Sequence, residues 1–181
     1  MAIATMLSCS TGGNTQLTES GLNPAAFDTT INNKPVKLFT LKNKSGMEVC
    51  ITNFGGRVVS LTVPDKDGKP TDVVLGYDNI RQYADSVNSP SDYGSTVGRY
   101  ANRIDKGHLH VNGKDYQLPQ NNFGHCLHGG PSGWMYQVYD AEQPNDTTLV
   151  MRLMSPDGDN NFPGTVKTTA TYKVLSNNTL D

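Results

Sequence analysis

The chain has 181 residues, 35% of them hydrophobic and 18% charged, and 15 Lys+Arg against 17 Asp+Glu leave a formal net charge of -2. That length accommodates one domain or a piece of a larger one, and the apolar content is enough to bury a core, which excludes wholesale disorder. The near balance of charge, with no Lys/Arg cluster, excludes a nucleic-acid footprint, and no stretch approaches the roughly 20 apolar residues of a membrane-spanning helix.

The N-terminus opens on a short apolar run, Ala2-Ile3-Ala4-Thr5-Met6-Leu7, followed by Ser8-Cys9 and the polar stretch Ser10 to Thr15. This pattern is that of the end of a bacterial lipoprotein signal, with Cys9 as the lipidation site and the polar residues after it as a tether. Residues 1–30 are accordingly expected to be a signal remnant and polar linker, and 31–181 the folded domain. The localisation that follows is an exported, periplasmic or membrane-anchored lipoprotein, or a cytoplasmic protein if the segment is no signal. Cys50 and Cys126 have no Cys-x-x-Cys spacing and sit in apolar surroundings, so buried free thiols are expected.

From residue 37 the pattern is strand, turn, strand. Lys37 to Leu41 precedes the turn Asn43-Lys44-Ser45-Gly46, and then Met47, Val49 and Ile51 alternate onto one face. Val58 to Val63 is rich in β-branched residues and is closed by Pro64 and the turn Asp65-Lys66-Asp67-Gly68. Val73-Val74-Leu75 is read as the next strand, and Asn79 to Ala84 as a helical turn. His108 to Val111 and Tyr116 to Leu118 flank Asn112-Gly113, the signature of a type I′ hairpin. Tyr136 to Tyr139, Thr147 to Met154 and Thr165 to Val174 complete the series, which predicts an all-β sandwich or barrel. Val174-Leu175 leads into the turn Ser176-Asn177-Asn178, and Thr179-Leu180-Asp181 opens a returning strand, so the sequence reads as cut inside a hairpin.

Two segments are dense in functional side chains. In Gly98-Arg99-Tyr100-Ala101-Asn102-Arg103-Ile104, two arginines and an asparagine offer forked donors to a polyol or carboxylate, or simply form a solvated loop. In Leu127-His128-Gly129-Gly130, the paired glycines allow a tight backbone turn that leaves the His128 ring open to a ligand, or else the histidine only bonds backbone. Trp134 nearby offers a flat face to the C–H surface of a sugar. His108 with His110, and His125 with His128, form two pairs that nothing brings into contact, so no metal site is expected. Ser155-Pro156-Asp157-Gly158-Asp159 lacks the spacing of a calcium loop and reads as a surface turn.

Taken together, several segments resemble the aldose 1-epimerase (galactose mutarotase) family. They are Thr52-Asn53-Phe54-Gly55-Gly56, Val63-Pro64-Asp65, Asp72 to Gly76, Gly98 to Ile104 and Leu127 to Gly130. Ser155 to Gly158, Phe162-Pro163-Gly164 and Thr171-Tyr172 continue the likeness in the same order over about residues 36–181. Trp134 stands where the family usually has phenylalanine, and Tyr100 where it is more often aliphatic. The resemblance implies a large antiparallel β-sandwich, incomplete at the C-terminus, and a cofactor-free interconversion of the α and β anomers of aldohexoses such as galactose or glucose. It implies that Asn102 and Arg103 hold substrate hydroxyls and that His128 is a catalytic and binding residue beside the ring oxygen. It also implies that a second histidine, a glutamate base and a sugar-binding aspartate belong beyond Asp181, so that these residues alone are expected to be inactive. The competing expectations are a non-catalytic carbohydrate-binding domain on an exported lipoprotein and an epimerase of phosphorylated hexoses. The second of these calls for additional basic side chains.

Overall fold

The computed structural model describes residues 16–87 and 91–181, and the signal-like segment with Cys9 lies outside the described residues. The described chain enters through a 3-10 turn, Pro24–Phe27, whose Asn23 side chain accepts from the Ala25 N–H. Hairpin β1 (Thr29–Ile31) and β2 (Lys34–Val36) follows, linked by Asn32-Asn33 with φ of 52° and 60°, the geometry a two-residue turn demands.

The first large sheet has the order β3 (Leu38–Lys42), β4 (Glu48–Thr52), β5 (Arg57–Pro64) and β6 (Pro70–Asp72), all antiparallel. All five residues of β4 are buried because both faces of the sheet are covered. Met47, Val49 and Ile51 lie on one side, as the alternation predicts, and Cys50 packs on the other with Phe27, Val36 and Phe54. A bulge inserts Val59 opposite the Cys50–Ile51 step; Val58 packs in one core and Val59 in the other. The helical turn α1 (Ile80–Ala84) is capped by Asn79 accepting from Gln82 N–H and buries Ile80 and Tyr83 in the second core.

Beyond α1, β7 (Arg103–Ile104) precedes the hairpin β8 (His108–Val111) and β9 (Lys114–Gln117), whose Asn112 and Gly113 have φ of 52° and 73° as the type I′ turn requires. β10 (Cys126–Leu127) then returns to pair with β7. The second large sheet is β11 (Asp140–Asn145), β12 (Thr148–Ser155) and β13 (Val166–Lys173). Leu149, Met151 and Leu153 of β12 meet Leu41, Met47, Val49 and Ile51 of the first sheet, and this shared core makes the expected antiparallel sandwich. Val174 bridges Leu180, and Lys173 and Asp181 exchange backbone hydrogen bonds of 2.7 and 2.8 Å, so the returning strand begins to pair.

Three expectations need correction. The polar segment before residue 31 is packed, not a free linker, from Thr18 onward: Glu19 N–H donates to the buried Glu48 carboxylate at 2.7 Å, and Leu22 and Phe27 join the core. Val73-Val74-Leu75 is no strand. The Asp72 carboxylate takes the N–H groups of Leu61 and Val74, which ends the β5–β6 ladder and leaves Val73 and Leu75 exposed. Tyr136 to Tyr139 holds only one bridge, Val138 to Phe54, because the 3-10 turn Trp134–Tyr136 occupies its start. Cys50 and Cys126 are free and buried, as expected.

Candidate functional site

The two chemistry-bearing segments, separated in sequence by residues 105–126, lie side by side because β7 pairs with β10, setting Leu127 opposite Arg103 and Cys126 opposite Ile104. Their glycines interlock. A Cβ on Gly98 would stand 2.0 Å from Cε3 of Trp134, and one on Gly129 would stand 1.9 Å from the Gly98 carbonyl oxygen. Only glycine admits those approaches. The Trp134 N–H then donates to Gly98 O at 3.2 Å.

His128 is fixed at this junction. Its N–H donates to Asn102 O at 3.0 Å, and its Nδ1 accepts from Asn102 N–H at 3.0 Å. With Nδ1 an acceptor, the neutral imidazole carries its proton on Nε2. Nε2 lies 3.8 Å from a carboxylate oxygen of Asp92. Both residues line a cavity of about 290 Å³ together with Ser91, Asn121, Asn122 and Tyr136. His128 has φ of 52°, a left-handed backbone that costs a side-chain-bearing residue about 1–3 kcal/mol and is held here by the Asn102 clamp.

Arg103 is exposed and donates through Nε and Nη2 to Asn122 Oδ1, at 3.0 and 2.8 Å. Asn102, with φ of 67°, uses Oδ1 to accept from Arg103 N–H at 2.9 Å. Asn121 braces β10 by accepting from Leu127 N–H and donating to Leu127 O. Thus Asn102, Arg103 and His128 are brought together. Trp134 is half-buried, takes Gly98 against its ring, packs on the core between the sheets, and is absent from the lining of the His128 cavity.

Arg99, the other arginine of the segment, faces inward. It donates to Ser155 Oγ at 2.8 Å and to the carbonyls of Ser155, Pro156 and Pro163, tying the turn after β12 to the site. His108 and His110 share Asp115 on the exposed hairpin, at 3.3 and 2.8 Å. Their nearness holds the Asp115 carboxyl below the usual carboxylate range, His110 contributing most through its hydrogen bond. No helix among the described residues is long and apolar enough to cross a membrane.

Sequence reasoning missed Asp92, Asn121 and Asn122. Asp92 sits in the polar stretch Ser91 to Ser95 with no motif around it. Chemically, the cavity offers an N–H donor from His128 and acceptors from Asp92, with the Arg103 guanidinium held beside it by the lining residue Asn122, a set suited to a polyhydroxylated ligand.

The family model described as aldose 1-epimerase matches residues 37–181. The aldose 1-epimerase of Escherichia coli (strain K12) is 32% identical over 145 residues, which is 80% of this chain and 41% of that protein. The galactose mutarotase of Mus musculus is 35% identical over 137 residues, 76% of this chain and 39% of that one. Among solved structures, the GalM/aldose epimerase homologue from C. elegans superposes with a TM-score of 0.75 at 36% identity, covering 80% of this chain and 44% of its own. Galactose 1-epimerase from Lactobacillus acidophilus NCFM gives 0.72 at 29% identity, covering 84% and 44%. The chain therefore spans less than half the length of these relatives, and over that span it belongs to the aldose 1-epimerase family.

Proposed function

We propose that these residues form the sugar-holding half of an aldose 1-epimerase site and that the whole protein interconverts the α and β anomers of aldohexoses such as galactose or glucose. The reaction requires a base to take the proton of the anomeric hydroxyl while an acid protonates the ring oxygen. The ring opens, the C1–C2 bond rotates, and the hydroxyl closes on the other face of the aldehyde. In this reading Asn102 and Arg103 hold sugar hydroxyls and His128 sits beside the ring oxygen, its Nε2–H directed at the adjoining hydroxyl. The base carboxylate and a second histidine come from sequence beyond Asp181.

The observation that carries the reading is the His128 ring, whose Nδ1 is engaged by Asn102 and whose Nε2 side lies in a cavity lined by polar side chains. Polarimetry of fresh α-D-galactose and α-D-glucose tests it. The 181 residues alone are expected to leave the spontaneous rate unchanged, whereas the product of the reading frame extended past Asp181 accelerates it. An extended protein that lacks catalysis but binds sugar makes the chain part of a carbohydrate-binding domain instead.

We also propose export and lipid attachment at Cys9. Metabolic labelling with a palmitate analogue is expected to mark the protein and to fail with Cys9→Ser. Equal labelling of the two, or of neither, overturns the attachment.

A further inference from the structure

Arg57 begins β5 and is fully buried. Its guanidinium spreads between the two walls of the His128 cavity. Nη1 donates to Ser91 O at 2.8 Å and reaches Tyr93 O at 3.5 Å, while Nη2 donates to Met135 O at 2.9 Å. Ser91 and Tyr93 flank Asp92, and Ser91, Asp92 and Met135 all line the cavity. The rings of Tyr83 and Phe54, 5.3 and 5.7 Å from the guanidinium carbon, close it off from behind. Burial pushes the Arg57 pKa down, and among the charges that hold it up Asp92 is foremost. Gly94 O accepts from Val58 N–H at 3.0 Å and Thr96 N–H donates to Gly55 O at 2.9 Å, so the loop is strapped to β5 and to the turn before it beyond Asp92 as well.

The result is a carboxylate that is 42% exposed, on a loop anchored by a buried cation, with an oxygen 3.8 Å from His128 Nε2. That gap is too wide for a direct hydrogen bond. It suits a hydroxyl oxygen set beside it, accepting from Nε2–H and donating to the carboxylate through arms of about 2.8 Å.

We propose that Asp92 is a sugar-binding residue that accepts a hydrogen bond from the substrate hydroxyl touched by His128, and that Arg57 is the positioning residue that aims it. This deepens the aldohexose reading and rests on it. A carboxylate bonded to one hydroxyl discriminates against the sugar lacking that group, because its acceptor is then left unpaired in a site built to fill it.

The test is an NMR titration of this chain with D-galactose and its monodeoxy analogues, following the amide signals of Asn102, Asn122 and His128. One analogue is expected to bind the wild type about tenfold more weakly than galactose, the size of one charge-assisted hydrogen bond. Asp92→Ala is expected to bind galactose as weakly as that analogue and to lose the discrimination. Arg57→Lys, which keeps the charge but loses the fork, is expected to blunt the same discrimination while leaving that at other hydroxyls intact. Should Arg57→Lys fail to fold, Asp92→Ala on the exposed loop still decides the binding role. Galactose binding by Asp92→Ala with unchanged affinity and unchanged discrimination overturns this inference and leaves the aldohexose reading standing. Wild-type protein that shows no response to galactose at any of these amides overturns both.

Discussion

Asn102 and His128 clamp each other through two backbone-anchored hydrogen bonds of 3.0 Å, one in each direction: His128 N–H to Asn102 O, and Asn102 N–H to His128 Nδ1. The clamp fixes both the ring orientation and the tautomer. In a long-range ¹H–¹⁵N spectrum of the neutral ring, Nδ1 of His128 is expected to appear as the unprotonated nitrogen and Nε2 as the protonated one. The reverse assignment, or a mixture of the two, would remove the donor that the site directs at its ligand.

The two arginines of one short segment are expected to separate stability from binding. Arg99→Met strips hydrogen bonds from the carbonyls of Ser155, Pro156 and Pro163 and is expected to cost about 2–4 kcal/mol in urea unfolding. Arg103→Ala removes an exposed side chain whose partner is Asn122, and stability is expected to stay within about 0.5 kcal/mol. In the full-length protein, Arg103→Ala and His128→Ala are each expected to lower mutarotation by about 10²-fold or more with the fold intact. Unchanged rates in both variants remove these residues from the site.

The sequence separates these roles only in part. Strand alternation and turn chemistry mark most of the sandwich, because Asn112-Gly113 and the Met47, Val49, Ile51 face are local patterns. Burial on the second face of β4 depends on elements distant in sequence such as Val138, so it leaves no local trace. Arg57 reads as a charged strand end, yet it is fully buried because carbonyls from two distant loops converge on it. Asp92 is a single carboxylate among serines until the fold sets it opposite His128. Likewise Arg99 and Arg103 are chemically alike in the sequence, and only the neighbours each one meets distinguish support from display.

Gly98→Ala is expected to be strongly destabilising. The added methyl would sit 2.0 Å from the Trp134 ring and 2.1 Å from its Cδ2, with the ring itself packed on the core between the sheets. Overpacking of this kind costs about 1–3 kcal/mol when neighbours can shift. Here the ring also bears on the segment that carries Asn102, the partner that clamps His128. Trp134 is the chain's single tryptophan, so its fluorescence reads the displacement directly. The variant is expected to unfold at lower urea with an altered native emission maximum. An unchanged midpoint and unchanged emission contradict the close packing of Gly98 on Trp134.

Alkaline pH is expected to unfold the protein through its buried and half-buried tyrosines. Tyr172 donates to the Gly56 carbonyl at 2.6 Å, and burial pushes its pKa up to about 12. Burial raises Tyr83, Tyr136 and Tyr139 in the same direction. An unfolded tyrosine ionises near pH 10, so above that pH the unfolded chain has lost protons that the native state retains. The native state binds more protons there, and stability falls as pH rises. The contribution is whole below about pH 10 and is lost as pH climbs toward about 12. Urea midpoints measured across that window are expected to decline steeply in the wild type. Tyr172→Phe is expected to be less stable at neutral pH, through loss of the bond to Gly56, and to decline less steeply with pH. A slope identical to the wild type's would show that Tyr172 ionises as freely in the native state as in the unfolded chain.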